Sequence, residues 1–570
     1  MANKKFFTLS GDVVYRMTKF LFVTGGVLSG IGKGAAAASI AKSFQFRNLD
    51  VDMIKIDPYL NVDPGTLNPI EHGEVFVTED AWNFDPTDEF SFTIAEIDQD
   101  FGTYERFLDR TMHPRNNITS GQVYLSVLLQ ERAGGYLGRT VQIIPHITDE
   151  IKDRIRAVAE RNDPDVLISE IGGTVGDIEA SPFLEAIRQL RLEEPDHETA
   201  LIHVTLVPYL ETIGQLKTKP TQHSVKTLLS AGLQPDAIIG RSDRPLSEAA
   251  REKISLYSNV PKEAVVSDPR IDVLYELPLL FEKQGLGDHL CDVLRLRARR
   301  PSLSSWEQVV DQFKQAEERI KIAMPGKYTQ ILDSYMSINK ALKHSAAKLG
   351  AKVEIEFLDT EAMEEDPERL KVLEDYHGVL LTPGFGTRGA EGMINVSRRV
   401  LSEDIPFLGI CFGSQLLFIA FCRENGLDGA NSTEIDADTP HPVVDLLPEQ
   451  KDVSKKGGTM RLGGHDVYIK EDSLLHEAYD KEQVIERFRH RYHLISDYVE
   501  DMEEEGLRLS ATDRTGKIVN AIELKGDQWV VGVKFHPEFT SRPGKPNPVY
   551  LSFMEAALER KKQLASSGSD

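Results

Sequence analysis

The sequence predicts an α/β protein with two doubly wound, mostly parallel sheets. From about residue 18, short apolar β-rich runs alternate with helical periodicity, the mark of parallel sheets covered on both faces. The chain has 570 residues, and domains take about 100–200 residues each, so more than one core is expected. At 294–317 the alternation stops: the segment is basic, then Pro/Ser-rich, then helical. That break reads as a linker.

In the first stretch FLFVTG (20–25), VDMIKI (51–56), VQIIPHI (141–147), DVLISEIGG (165–173), ALIHVTLVP (200–208) and DAIIGRS (236–242) read as strands. Helical periodicity covers 35–47, 149–161, 182–193 and 221–231. In the second stretch KIAMPG (321–326), AKVEIEFL (351–358), GVLLTPG (378–384) and PFLGI (406–410) read as strands. The last third is richer in β pattern and ends in WVVGVKFHPEF (529–539). The closing LASSGSD is small and polar and reads as a disordered tail.

Acidic residues outnumber basic ones 90 to 66, a net charge of −24. This balance argues against a nonspecific nucleic-acid coat or an anionic-membrane binder, but not against nucleotides, which need only a local basic pocket. The three cysteines, Cys291, Cys411 and Cys422, are too few for a disulfide framework and fit a reducing, cytoplasmic compartment. No apolar run reaches the length of a membrane span. The N-terminal stretch carries Asp12 among its apolar residues, which reads against a secretory signal.

The strand FLFVT runs into Gly25-Gly26-Val27-Leu28-Ser29-Gly30-Ile31-Gly32-Lys33-Gly34 and then into a helix. Glycines let backbone N–H groups converge on phosphate oxygens, and the helix start adds a positive dipole end. Lys33 at the helix start favours this over a plain tight turn. Gly34 stands where such loops usually place a metal-binding hydroxyl. Carboxylates must then hold the metal, and Asp98, Asp100 and Glu170 are the candidates.

In the second stretch Cys411 follows the strand FLGI and precedes a helix, between Gly409 and Gly413. Such a turn exposes a nucleophile and lowers its thiol pKa. His536 and Glu538, two residues apart in an extended segment, share one face and supply base and orienter. Cys422 has no such surroundings and reads as core.

GGVLSGIGKG (25–34), KIDPYLNVDPGT (55–66), EHGEVFVTED (71–80), EIGGTVGDIE (170–179) and KTKPTQHSVKTLLSAGLQPD (217–236) closely resemble the synthetase domain of the CTP synthase family. GVLLTPGFG, PFLGICFGSQLLFIAF and VKFHPEF resemble the class I glutamine amidotransferases. Together the resemblance spans about 18–558. It implies an N-terminal extension (1–17), a P-loop, dethiobiotin-synthetase-like domain (18–298), a linker (299–317), a flavodoxin-like glutaminase domain (318–558) and a tail (559–570).

The implied reaction is ATP-dependent activation of the O4 of UTP and attack by ammonia to give CTP, a step of pyrimidine biosynthesis. By the same resemblance Ser29, Gly30, Ile31, Gly32, Lys33, Gly34, Lys55, Asp100 and Arg241 bind ATP, and Asp100 and Glu170 hold Mg²⁺. Ser29, Asp177, Ile178, Glu179, Lys217, Thr218, Lys219, Pro220, Thr221, Gln222 and Lys253 form the UTP/CTP site. Pro220 is expected to hold Thr218–Lys219 extended. In the glutaminase Cys411 attacks glutamine, His536 moves the proton and Glu538 fixes its tautomer. The N–H groups of Gly384 and Phe412 hold the oxyanion, and Gln415, Glu434 and Arg491 hold glutamine's polar groups. The resemblance further implies an ammonia tunnel, GTP as allosteric activator, CTP as feedback inhibitor, and a homotetramer able to form filaments.

Three features depart from the pattern. Pro383 in TPGFG stands where the family has glycine, Arg270 stands where it has aspartate near the adenine, and 81–95 (AWNFDPTDEFSFTIA) reads as an inserted loop that packs on something. A cobyrinic-acid-type amidating synthetase is the same-class alternative, and a catalytically weakened filament or interaction protein the different-class one. EIGGTVGDIE and KTKPTQHSVK argue against the first; the presence of Lys33, Glu170, Cys411, His536 and Glu538 argues against the second.

Overall fold

The computed structural model describes residues 6–9, 12–15, 17–67, 73–87, 90–327, 332–450 and 460–567. The chain forms two compact units, one of residues 1–64, 82–92 and 100–311, the other of 65–81, 93–99 and 312–570. Parts of the extension 1–17, of the segment 81–95 and of the tail 559–570 lie outside the described residues.

The first unit is built on a seven-stranded, wholly parallel sheet. Its spatial order is Val265–Pro269, Ala237–Ser242, Thr199–Leu206, Lys19–Gly25, Val166–Ile171, Val51–Asp57 and Asn117–Thr119. The middle strands are buried almost throughout, so they read as unbroken apolar runs. The helix Lys33–Phe46 buries Ala36, Ala37, Ala38, Ile40, Ala41 and Phe44. A helix apolar nearly all round belongs in an interior, and this one carries the Gly25–Gly32 loop on its N-terminus. Phosphate-binding sites of such sheets lie beyond the carboxyl ends of the strands. The register brings Val23, Glu170, Lys55 and Asn117 level across four neighbouring strands there.

The second unit has a nine-stranded sheet. Its parallel part runs Ala351–Asp359, Glu318–Gly326, Gly378–Leu381, Phe407–Ile410 and Val530–Val533, the 2-1-3-4-5 order of flavodoxin-like sheets. Four antiparallel strands continue it: Val519–Leu524, Leu507–Thr512, Arg461–Ile469 and Gln483–His490. Alternate strand residues feed two separate cores. Val379, Leu381 and Phe407 pack into one, Leu380, Leu408 and Ile410 into the other. Among the described residues no helix is long and apolar enough to cross a membrane.

Several expectations need correction. VQIIPHI is not a strand: Ile143–Ile147 form one irregular helical turn leading into the helix Thr148–Asn162. Pro145 has no N–H to give a sheet ladder, and this outweighs the β-branched run around it. Thr218–Lys219 is not extended: Thr218 has φ −85° and ψ −2°, and Lys219 opens the helix Lys219–Ser230 with Pro220 in its first turn. First-turn N–H groups have no partner inside a helix, so proline costs nothing there. The 81–95 segment is not a loop but the greater part of two paired strands, Phe76–Thr87 and Phe90–Ile97. It does pack on something: the guanidiniums of Arg115 and Arg154 lie 5.2 and 5.9 Å from the Trp82 ring. The last helix reaches Ser567, through residues whose composition suggested a disordered tail. The helical part read in the 294–317 stretch needs no correction: it is the helix Ser304–Gln315, whose buried Trp306 donates Nε1–H to the Tyr275 carbonyl at 2.7 Å.

Candidate active sites

In the first unit the loop between Gly25 and Lys33 has positive φ at Val27 (82°), Gly30 (70°) and Gly32 (96°), turning successive N–H groups toward one side. Lys33 is buried and donates from Nζ to the Gly173 carbonyl at 2.8 Å. Burial pushes its pKa down. Lys55 pairs with both Asp100 and Glu170, the latter at 2.9 Å, and the Tyr104 hydroxyl donates to Glu170's other oxygen. Burial raises Asp57, beside them, to about 6. A Cβ on Gly34 would lie 2.7 Å from Asp100 Oδ1. The missing hydroxyl therefore has a structural counterpart: the space it would fill holds the Asp100 carboxylate. Asp98 belongs to the other unit. Among the described residues no group of three or more Asp, Glu, His or Cys side chains forms a complete metal cage.

The pyrimidine-site candidates fall on four segments of the same unit, Ser29 lying in the Gly25–Gly34 loop. Asp177, Ile178 and Glu179 are exposed on the turn after Val166–Ile171, where the Asp177 carboxylate accepts from the Thr174 N–H at 3.2 Å. That turn packs on the helix Lys219–Ser230: a Cβ on Gly176 would lie 3.2 Å from Thr227. Thr221 Oγ1 donates to the Leu206 carbonyl at 3.0 Å, and Gln222 Nε2 donates to Thr218 Oγ1 at 3.0 Å. Lys253 is exposed on the next helix, Glu248–Ser258. Arg241 is engaged within the sheet, bonding the buried Asp268 at 2.7 Å. Arg270 is exposed, its backbone N–H donating to the Ser242 carbonyl at 2.9 Å.

In the second unit Cys411 sits between the strand Phe407–Ile410 and the helix Phe412–Glu424 with φ 52° and ψ −99°, a conformation L-residues seldom adopt. Its flanking glycines are there for close approach. A Cβ on Gly413 would collide with the Leu381 carbonyl oxygen, and one on Gly409 would lie 2.9 Å from the backbone of Gly413. His536 Nδ1 lies 2.7 Å from Glu538 Oε1, its Nε2 is buried with no hydrogen-bond partner among the described residues, and the Cys411 thiol donates to the Arg489 carbonyl at 3.7 Å. Burial alone would raise the Cys411 thiol, but the Lys534 ammonium and then His536 outweigh it and hold the thiol below its ordinary value. Burial works against a charged His536, yet Glu538 and Cys411 push it up to about 10. The two shifts run in opposite directions, each favouring the charged form of its group. Cys422 is buried, and burial alone pushes its thiol up to about 12, the signature of an inert core cysteine.

A cavity of about 750 Å³ opens at Cys411, and all eight glutaminase candidates line it: Cys411, His536, Glu538, Gly384, Phe412, Gln415, Glu434 and Arg491. Phe412 opens its helix, so its N–H is not used within the helix. The neighbouring 383–386 loop is held from two sides. Lys327 Nζ donates to the Phe385 and Gly386 carbonyls at 2.9 and 2.6 Å, and Glu434 Oε1 accepts from the Gly386 N–H at 2.8 Å. Gln415 donates to the Tyr492 carbonyl at 3.3 Å, while its Oε1 has no partner among the described residues. Arg491 donates to Gln450 at 2.7 Å.

The first-domain family model described as CTP synthase N-terminus matches residues 19–296, and that for class I glutamine amidotransferases matches 330–556. A CTP synthase of Methanopyrus kandleri is 50% identical over 95% of this chain and 99% of its own. One of Thermus thermophilus is 49% identical over 96% and 98%. The chain belongs to the CTP synthase family. A solved glutaminase domain of Trypanosoma brucei CTPS with bound acivicin is 36% identical over 42% of this chain and 94% of its own, with a TM-score of 0.40.

Against this family background, the motif reading left out five residues in or beside the glutaminase cavity. Gly65, Thr66 and Glu74 line the cavity although they sit in motifs that resemble the synthetase domain. Lys327 follows the first strand of the second sheet and carries no local signal. Lys534 had one: it precedes His536 by two residues in an extended segment and so shares its face.

Proposed function

We propose that the enzyme, which forms CTP from UTP with glutamine-derived ammonia, divides the reaction between these two sites. The observation that carries the reading is the single cavity lined by every glutaminase candidate around a thiol held low and an imidazole held high.

In the glutaminase Cys411 Sγ attacks the carboxamide carbon of glutamine. The oxyanion forms against the N–H groups of Gly384 and Phe412, where preorganised donors lower the barrier most. His536 gives its proton to the leaving nitrogen, ammonia departs, and water then cleaves the thioester with His536 as base. Glu538 keeps Nδ1 occupied, so Nε2 is the nitrogen that exchanges the proton. Glu434 and Arg491 take the α-ammonium and α-carboxylate of glutamine.

In the synthetase the Gly25–Gly34 loop, Lys33 and Lys55 bind the ATP phosphates. Asp100 and Glu170 fit Mg²⁺: both carboxylates converge on one ammonium, and Mg²⁺ is commonly bound by one or two carboxylates together with substrate phosphates. When bound it neutralises charge on the transferring phosphoryl group. Lys217, Lys219, Gln222 and Lys253, with Asp177 and Glu179, bind UTP, and CTP as feedback inhibitor takes the same residues. GTP activation, a homotetramer and a cytoplasmic location complete the reading.

The test is CTP formation followed by absorbance with purified protein, UTP, ATP, Mg²⁺ and ammonia. Product without glutamine supports the synthetase assignment, and no product from folded protein overturns it.

A further inference from the structure

One more charged side chain is sealed in behind the glutaminase nucleophile. Lys534 is 0% exposed. It follows the strand Val530–Val533, and its backbone N–H donates to the Asn520 carbonyl at 2.8 Å, extending the ladder by one residue. Its Nζ donates to the Cys411 carbonyl at 3.4 Å, while the Cys411 N–H donates to the Val533 carbonyl at 2.7 Å. The Cys411 carbonyl also accepts from Ser414 Oγ at 2.7 Å and from the Gln415 N–H at 3.4 Å, so Lys534 is its partner from outside the helix, as Val533 is for the N–H. Among the described residues no carboxylate lies within 4.0 Å of this ammonium.

The charged and titratable groups around the pair are few. Cys411, Glu434 and Arg461 act on Lys534, and Lys534 acts in turn on His490. His536 and Glu538 complete the set around Sγ. Burial holds Lys534 below the ordinary lysine value, while Cys411 and Glu434 oppose that shift. A buried ammonium without a carboxylate partner is unfavourable by itself. The groups that offset it here are Cys411, when ionised, and Glu434.

We propose that Lys534 is a positioning residue of the glutaminase: its buried ammonium pins the Cys411 turn through the carbonyl oxygen and supplies a fixed positive charge that favours the thiolate. The proposal rests on the reading of Cys411 as nucleophile. Lys534 touches neither glutamine nor the reacting atoms in this account; it acts through the cysteine.

The test is the rate of cysteine alkylation by iodoacetamide as a function of pH, with the label located by peptide mapping. Wild-type protein, Lys534→Met, Lys534→Gln and Lys534→Arg are compared. Wild type is expected to label at Cys411 with a midpoint below about 8.5, the ordinary thiol value. Lys534→Met and Lys534→Gln move that midpoint up by about one pH unit, and Lys534→Arg returns most of the shift because it restores the charge. A role in packing alone does not move the midpoint. An unchanged midpoint in either folded neutral variant overturns the proposal. Should Lys534→Met fail to fold, Lys534→Gln, which keeps a donor for the carbonyl, carries the same comparison. Wild-type label found away from Cys411 overturns the nucleophile reading itself, an outcome distinct from correct labelling with an unmoved midpoint.

Discussion

His536 Nδ1 and Glu538 Oε1 lie 2.7 Å apart, both buried, two residues apart in the chain. This contact occupies Nδ1 and leaves Nε2 without a hydrogen-bond partner among the described residues. Glu538→Gln keeps the shape but removes the charge that holds the imidazolium. Glutamine-dependent CTP formation is expected to fall by about 10²-fold or more, while ammonia-dependent formation stays near wild type. Parallel assays with the two nitrogen sources check this.

The same pair predicts a pH signature in stability. His536 is held at about 10 against an ordinary 6.5, so the folded protein keeps a proton that the unfolded chain gives up between those values. The contribution is fully present below about pH 6.5 and is lost as pH rises toward about 10. The Tm difference between wild type and Glu538→Gln should therefore be largest near pH 6 (about that value) and shrink through the alkaline range. A difference independent of pH contradicts it.

Gly34 leaves room for the Asp100 carboxylate, 2.7 Å from where a Cβ would stand. Gly34→Ser restores the hydroxyl usual in such loops but displaces Asp100. Ammonia-dependent CTP formation should drop by about tenfold or more, roughly 1.4 kcal/mol in the barrier, with glutamine hydrolysis untouched. Steady-state kinetics at varied ATP checks it.

Pro383 adjoins Gly384, the expected oxyanion donor. The loop around it is held at Phe385 and Gly386 by Lys327 and Glu434, none of which depends on residue 383. Pro383→Gly is expected to leave glutamine hydrolysis within about threefold of wild type, under about 0.7 kcal/mol. A larger loss in a glutaminase assay would show that proline itself sets the loop.

The described part of the 81–95 segment is packed. Phe84 is 2% exposed, with Trp82 and Phe92 at ring-centroid distances of 5.3 and 5.1 Å and the Arg154 guanidinium 5.3 Å away. Phe84→Ala should cost about 3 kcal/mol or more, seen by calorimetry as a lowered unfolding temperature. An unshifted transition contradicts the packing.

What the sequence revealed depended on how local the signal was. The Cys411 turn, the His536–Glu538 pair and the Lys33 loop each lie within a few residues, where strand, glycine and helix signals coincide, and the structure has them where those signals point. VQIIPHI misled because β-branched residues outnumber the one proline that decides it. Pro220 is ambiguous by itself, since proline disfavours a helical residue before it yet fits the first turn of a helix, and here the first turn prevails. The edge strands Asn117–Thr119 and Val265–Pro269 lack long apolar runs and passed unnoticed. Glu74, which accepts from the Ser337 N–H 263 residues away at 3.0 Å, could not have been placed by any periodicity, because the contact exists only in the folded chain.

The central claim is the division of labour between Cys411 and the Lys33–Asp100–Glu170 cluster, and Cys411→Ala tests it most directly. The variant, assayed for UTP-to-CTP conversion by absorbance, is expected to lose the glutamine-dependent reaction and keep the ammonia-dependent one. Loss of both reactions in a folded Cys411→Ala protein, or survival of the glutamine-dependent one, would contradict it.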